Sequence, residues 1–161
     1  TRRWECTKQS IFYTRSITQS RKLMNYSELA AFLENNHNAV LTTFRTNGAA
    51  QMSIVTVGLL KNSAAFSTTE ERAKLKNLKR DPRCSLLISA QNWSEYMVVE
   101  GSAKLYTMEN TKDEELSLIL REVYRSATGN EHPDWDDYDI AMKTDHRVAV
   151  SIAPNNIYGT I

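Results

Sequence analysis

The sequence predicts a mainly β fold with flanking helices, in which an antiparallel β-barrel has its ends covered by the helices. Most β-branched apolar segments are short and separated by turn residues, and only a few segments show helical spacing. The hairpin signal Asn47-Gly48 between two such segments favours antiparallel pairing. With 161 residues and 41% hydrophobic content, the chain has the size of one domain that can bury a core without disulfides.

The first predicted helix begins with Ser27 as its cap, and its apolar residues fall on one face. The next segments are β-branched and apolar. Residues 39–44 and 49–60 are predicted strands joined by the Asn47-Gly48 turn, and residues 64–67 are a predicted short strand.

The central predicted helix spans residues 70–80 and follows that short strand directly. Thr68 and Glu71 have the spacing of a capping box, Leu75 and Leu78 form one apolar stripe, and Pro82 ends the helix. This stretch therefore joins a strand end to a helix start.

Two further strands, two helices and two final strands complete the prediction. The helix over residues 109–126 is closed by Gly129, and the next helix has Pro133 as its first residue and extends to about Lys143. Aspartates in its first turn suit the helix dipole. The four strands are predicted over residues 83–90, 93–106, 146–154 and 156–161.

The start of the central helix is a candidate anion site. The first turn of a helix leaves backbone N–H groups without internal partners and carries the positive end of the dipole, and Arg72 and Lys74 add formal charge there. A phosphate-bearing ligand is the first hypothesis. The alternative is that the cations of this helix form the solvated face of an amphipathic helix, and this stretch by itself favours that alternative.

Charge is distributed unevenly along the chain. Residues 1–23 have a net charge of +5, whereas the remainder has 14 basic and 18 acidic residues, a net charge of −4. A mildly acidic body argues against a nucleic-acid binder, which needs a basic face across the domain. Residues 1–23 have the composition of a transit peptide or of a disordered basic arm, and we expect an N-terminal extension outside the folded domain 24–161.

Other kinds of site lack support. The two cysteines, Cys6 and Cys84, have no metal-ligand spacing and are expected to be free thiols in a reducing compartment, and the three histidines are widely separated. The acids of residues 132–138 are explained by helix capping, so no metal is expected. The signatures of nucleophilic hydrolases, of NAD sites and of ATP sites are missing from the sequence. We expect a cytoplasmic protein without a membrane span.

The motifs together resemble a known family. Segments TTFRTNGAAQMSIV, STTEERAKLKNLKRDPRCSLLI, YMVVEGSAKL, HPDWDDY and RVAVSIAPNNIYG, in this order, resemble the split β-barrel flavin and deazaflavin oxidoreductases of the pyridoxamine 5′-phosphate oxidase superfamily. The resemblance is greatest to the branch that uses the deazaflavin coenzyme F420. It covers residues 24–161, and the string from Arg72 to Arg83 is its most specific part.

This resemblance implies a split antiparallel β-barrel of the FMN-binding type and a homodimer with cofactor sites at the subunit interface. It assigns the cofactor phosphate to Arg72 and Lys74 and names further cofactor-binding positions, which are Gln51, Ser53, Val55, Ser67, Asn77, Trp93 and Tyr96. By the same resemblance, Trp93 and Tyr96 lie near the segment that the partner subunit contributes. Ala50 stands where many members of the family have proline, and Ile54 stands where the most similar members have asparagine. These two differences leave the choice of cofactor open.

The functional hypothesis is an oxidoreductase that transfers a hydride between coenzyme F420 and a small electron-poor substrate. Such cofactors carry their own reactivity, so no side chain is assigned as catalytic. The alternatives are an FMN-dependent oxidase or reductase and a flavin-binding protein without turnover. The expected partners are a second copy of the chain and a small molecule, with no nucleic acid and no membrane.

Overall fold

The computed structural model describes residues 22–161. This range contains eight strands and four helices. The strands are β1 (Lys22–Leu23), β2 (Asn38–Phe44), β3 (Ala50–Thr56), β4 (Gly58–Leu60), β5 (Ser63–Thr69), β6 (Arg83–Ser89), β7 (Tyr96–Tyr106) and β8 (Arg147–Thr160). The helices are α1 (Tyr26–Leu33), α2 (Ala73–Arg80), α3 (Asp113–Thr128) and α4 (Trp135–Thr144).

The strands form one antiparallel sheet in the order β3-β2-β6-β7-β8-β5-β4, with β1 beside β8. The sheet is curled, because β3 also contacts β5 although the two strands lie near opposite ends of this order. The predicted mainly β, split antiparallel barrel with flanking helices is confirmed. Residues 1–21 of the predicted extension lie outside the described residues, and its last two residues form β1.

Two apolar clusters hold these elements together. The larger one lies inside the curled sheet and includes Leu41, Phe66 and Ile88, none of which has solvent contact. The smaller one joins α3 to the outer side of the sheet through residues such as Leu120 and Ala149. Burial of apolar surface on both sides of β5 and β8 therefore fixes α3 against the sheet.

The first helix begins two residues earlier than the sequence predicts. Asn25 is the N-cap: its side chain accepts a hydrogen bond from the Glu28 backbone N–H at 3.1 Å, and its own N–H donates to Glu28 Oε2 at 2.9 Å. Ser27 lies within the helix, so its predicted role as the cap is wrong. Asn25 and Glu28 satisfy two helix-start groups reciprocally, which a cap at Ser27 would not.

The central helix α2 begins later than predicted. Thr68 belongs to β5, where it pairs with Val148, and Arg72 is the N-cap without a side-chain hydrogen bond. The predicted Thr68–Glu71 capping box is therefore wrong, because pairing with β8 holds Thr68 in the sheet. The predicted end at Arg80 is confirmed.

Two predicted strand boundaries also differ from the structure. Residues 49–60 form two strands rather than one, because the backbone N–H of the buried Val57 donates to His37 O at 2.8 Å, outside the sheet ladder. The two predicted final strands are one continuous strand, β8. A bulge opposite Glu100 and Gly101 accommodates the irregular backbone near Pro154.

The two later helices follow the predicted order with shifted starts. α3 begins at Asp113 rather than at residue 109, and Gly129, at φ +68°, closes it as predicted. Asp134 caps α4 by accepting hydrogen bonds from the backbone N–H groups of Asp136 and Asp137, each at 3.0 Å. Pro133 therefore precedes the cap and is not the first helical residue.

Candidate functional site

A cavity of about 590 Å³ lies between the end of β5, the start of α2 and the outer helices. Strand β3 forms one side, and α3 and α4 form another. The wall combines three cations, five serine or threonine side chains and several apolar or aromatic groups: Ile54, Val55, Thr56, Ser67, Thr68, Thr69, Arg72, Lys74, Val123, Tyr124, Ala127, Thr128, Tyr138 and Arg147. Among the described residues no carboxylate belongs to this wall. The cavity is therefore suited to an anionic group.

Arg72 and Lys74 lie at the start of α2, as the sequence predicts. Arg72 has an extended backbone at the N-cap, and Lys74 stands in the first turn. Burial lowers the pKa of the Lys74 ammonium, and the adjacent charge of Arg72 lowers it further. Neither cation forms an ion pair with a carboxylate of residues 22–161. A bound anion would therefore relieve their mutual repulsion.

A third cation of the cavity, Arg147, was not predicted from the sequence. It begins β8 and pairs with Thr69 at the end of β5, three positions before Arg72. The position follows from strand register, which the sequence does not reveal. The sequence shows that Arg147 stands near the start of a predicted strand, but it does not indicate which strand would pair with it.

The helical wall of the cavity was also missed. Tyr124 and Tyr138 line it and pack against His132 and Trp135 in one aromatic cluster, with ring centroids 5.1–5.8 Å apart. The Tyr138 hydroxyl donates to Leu120 O at 3.1 Å, and burial raises its pKa to about 12. Tyr138 is therefore a neutral, fixed part of the wall at ordinary pH.

The predicted positions on β3 divide into two groups. Gln51, Ser53 and Val55 share one face of the strand because alternate residues point to the same side. Val55 lines the cavity together with Ser67. Gln51 instead accepts a hydrogen bond at Oε1 from Asn77 Nδ2 at 3.2 Å. The structure thus brings Val55, Ser67 and the two α2 cations together.

Asn77 lies on the buried face of α2 and does not line the cavity. Its Nδ2 also donates to Thr43 Oγ1, at 3.0 Å. The residue therefore links α2 to β2 and β3. These hydrogen bonds satisfy the buried amide group of Asn77.

Trp93 and Tyr96 lie away from the cavity of this single chain. Trp93 is 68% exposed, has φ +61° and occupies the connection between β6 and β7. Tyr96 is half-buried at the start of β7 and pairs with Thr160. Neither residue lines the cavity of the single chain, so their cofactor contact stays a prediction.

A second cavity of about 650 Å³ shares Thr69, Arg72 and Arg147 with the first. Its remaining lining includes Glu70, Glu71 and Asp145. The two cavities therefore meet at the same arginines but differ in charge, since only the second has carboxylates in its wall.

Residues 22–161 contain neither a metal-binding cluster nor a membrane-spanning helix. No group of three or more His, Cys, Asp or Glu side chains there could hold a metal ion. No helix in that range is long and apolar enough to cross a membrane. Cys84 is a buried free thiol, whereas Cys6 lies outside the described residues.

A curled antiparallel sheet with a cation-lined cavity beside a short helix defines a split-barrel protein with a candidate anion site. Residues 27–159 match the family model described as pyridoxamine 5′-phosphate oxidase. The chain therefore belongs to this family of flavin-binding oxidoreductases.

Solved structures give the same fold at low sequence identity. The chain is similar to a conserved hypothetical protein of Mycobacterium tuberculosis, with 21% identity, a TM-score of 0.71 and coverage of 88% of each chain. It is also similar to an F420 reductase, with 19% identity, a TM-score of 0.55 and coverage of 79% of this chain and 93% of that one. A haem-binding protein of Mycobacterium smegmatis matches with 18% identity and a TM-score of 0.61, over 84% of this chain and 53% of that one. At these identities the similarity establishes the fold.

Proposed function

We propose that this protein is an oxidoreductase that binds coenzyme F420 and transfers a hydride between it and a small electron-poor molecule. The observation that carries the proposal is the wall of the first cavity, which presents Arg72, Lys74 and Arg147 without a described carboxylate. Such a wall fits the phosphate of a flavin-type cofactor. The fold similarity to an F420 reductase adds support.

When bound, the cofactor supplies the hydride chemistry, and the protein supplies binding, orientation and exclusion of water. Arg72 and Lys74 are proposed to hold the phosphate, with the hydroxyl of Ser67 in the same wall. Val55 contributes an apolar surface beside them, while Gln51 and Ser53 continue the same face of β3. No side chain is required to act as a nucleophile.

We propose that the active form is a homodimer. The outer strand β3 carries Met52 and Ile54, which are 70% and 82% exposed, and Ile54 also lines the cavity. Large exposed apolar groups on an outer strand are typical of a surface that another chain covers. A second copy on this side would bring Trp93 or Tyr96 to the cofactor, as the family resemblance implies.

The alternative cofactor is FMN, and one observation favours it. The second cavity continues beyond Arg72 and Arg147 but is lined by Glu70, Glu71 and Asp145. These carboxylates would repel the acidic tail of F420, whereas FMN ends at its phosphate. Lys79, a cation of α2, pairs with Glu70 at 2.7 Å, and this pairing leaves its charge already compensated.

Separate titrations with F420 and with FMN, followed by cofactor fluorescence, test the proposal. Tight binding of F420 alone would support the deazaflavin assignment and direct the search toward hydride acceptors. Preference for FMN would support the oxidase or reductase alternative. Binding without reduction of any acceptor would indicate a carrier without turnover, and binding of neither cofactor would refute the proposal.

A further inference from the structure

Arg147 has a buried polar atom without a partner. Its Nε has no solvent contact and no hydrogen bond in the described part of the chain, although the side chain as a whole is half-buried. A buried polar group without a partner costs about 1–3 kcal/mol, and more when it is charged. Because arginine stays protonated at any ordinary pH, the charge itself requires compensation.

The protein does not provide that compensation within residues 22–161. Arg147 forms no ion pair there, whereas Arg121, also half-buried, is paired with Asp139 at 2.7 Å. Glu70, which lines the second cavity with Arg147, is committed to Lys79. Arg147 lines the first cavity, so an anion bound there can supply the counter-charge that residues 22–161 do not.

The surroundings of Arg147 define the chemistry of that partner. Arg147 lines the first cavity with Arg72 and Lys74, and the serine and threonine hydroxyl groups of that wall come from Thr56, Ser67, Thr68, Thr69 and Thr128. Three cations and several hydroxyl donors match a group with more than one negative charge and several acceptor oxygens. A phosphate ester has both properties.

We infer that Arg147 is the third cation of the phosphate site and binds the same phosphate group as Arg72 and Lys74. This inference rests on the proposed function, because it concerns the same cavity. The site thereby gains a cation from the first residue of β8, in addition to the two at the start of α2. Arg147 is thus a determinant of specificity for phosphorylated over neutral ligands.

A purely structural role for Arg147 is the competing explanation. The side chain lies close enough to Tyr138 for its charge to lower the pKa of that hydroxyl, against the larger upward effect of burial. Replacement of Arg147 could therefore alter packing without any role in binding. The two explanations differ in whether the effect of substitution depends on phosphate.

The first test uses inorganic phosphate, which has no ring and so does not depend on the flavin assignment. The melting temperature of the full chain is measured against phosphate at constant ionic strength for wild type, Arg147→Met, Arg147→Lys and the control Lys76→Met, which alters an exposed residue of α2. We expect phosphate to raise the melting temperature of wild type and Lys76→Met, less so that of Arg147→Lys, and not that of Arg147→Met. An equal rise in Arg147→Met, or no rise in wild type, overturns the inference.

The second test compares FMN with riboflavin, which lacks the phosphate. Arg147→Met is expected to weaken FMN binding about tenfold or more while changing riboflavin affinity less than twofold. Equal weakening of both would overturn the inference in favour of a structural role. If neither flavin binds, the FMN alternative fails, and if F420 does not bind either, the proposed function fails. In both cases the phosphate experiment still decides the role of Arg147.

Discussion

The side chain of Asn77 donates a hydrogen bond to Gln51 Oε1 across 3.2 Å, and this contact joins α2, whose start carries two cations of the cavity, to β3. The family resemblance assigns both residues to the cofactor. Their mutual contact has a structural effect, because it holds α2, the helix with Arg72 and Lys74 at its start, against β3. The position of Arg72 and Lys74 therefore depends on a buried amide that does not line the cavity.

Asn77→Ala is expected to destabilise the protein by about 1–3 kcal/mol, because it leaves the buried Thr43 hydroxyl without its donor. Urea unfolding of wild type and variant measures the change, with the exposed Lys76→Ala on the same helix as the control. Unchanged stability together with lost cofactor binding would mean that Asn77 acts on the ligand directly.

The double variant Arg72→Ala/Lys74→Ala is expected to lose at least tenfold in affinity for a phosphorylated cofactor while remaining folded. Removal of two charge-assisted contacts supports this magnitude, since each contributes about 1.5–3 kcal/mol. Fluorescence titration measures affinity and circular dichroism checks the fold. Affinity equal to that of wild type would refute the phosphate assignment and favour a solvated helix face.

Stability is expected to fall at alkaline pH through two buried groups. Burial raises the pKa of Cys84 to about 11 and of Tyr138 to about 12, so the folded state retains protons that the unfolded state loses above about pH 9 and pH 10. Each group therefore lowers the free energy of unfolding by on the order of 2–3 kcal/mol as the pH rises from its unfolded-state pKa to its folded-state pKa. Urea unfolding from pH 8 to 12 measures the free energy of unfolding of wild type and both variants. Compared with wild type, it should decline less steeply for Cys84→Ala below pH 11 and for Tyr138→Phe above pH 10. Parallel curves for all three proteins would contradict this account.

Gly101→Ala is expected to prevent folding or to destabilise the protein by more than about 3 kcal/mol. A methyl group at Gly101 would overlap the backbone carbonyl of Ala153 at the β7–β8 bulge, and a backbone carbonyl cannot move aside cheaply. The exposed neighbour Ser102→Ala is the control. A Gly101→Ala protein with wild-type thermal stability would show that the bulge adapts easily.

Met52→Lys is expected to shift a homodimer toward monomers, because it places a charge on the exposed outer strand proposed as the interface. Light scattering during size-exclusion chromatography measures the mass. The control, Leu118→Lys, changes an apolar residue on α3 that is 64% exposed, and should leave the mass unchanged. A wild-type monomer, or a Met52→Lys dimer, would contradict the proposed interface.

Local signals in the sequence predicted the order of strands and helices. The Asn47-Gly48 turn and the Gly129 helix end depend on backbone conformations that glycine adopts easily, and both are present, at φ +80° and +68°. Helix starts were less predictable, since Thr68 could either cap a helix or extend β5. Its pairing with Val148, far along the chain, decided the outcome.

The candidate site was predictable only where its residues are neighbours in sequence. Arg72 and Lys74 share one helix start, and the sequence identified them together. Arg147, Tyr124 and Tyr138 reach the same cavity through strand register and helix packing. Such long-range relationships depend on the whole fold, so no local pattern marks these residues.

The antiparallel pairing of Thr69 with Arg147 has a kinetic consequence. The three cations can surround a ligand only after β8 has joined β5, a contact between distant parts of the chain that forms late in the folding of β-rich proteins. A ligand of this site should therefore slow unfolding and leave the refolding rate unchanged. The cofactor would thus extend the lifetime of the finished protein without guiding the chain toward it.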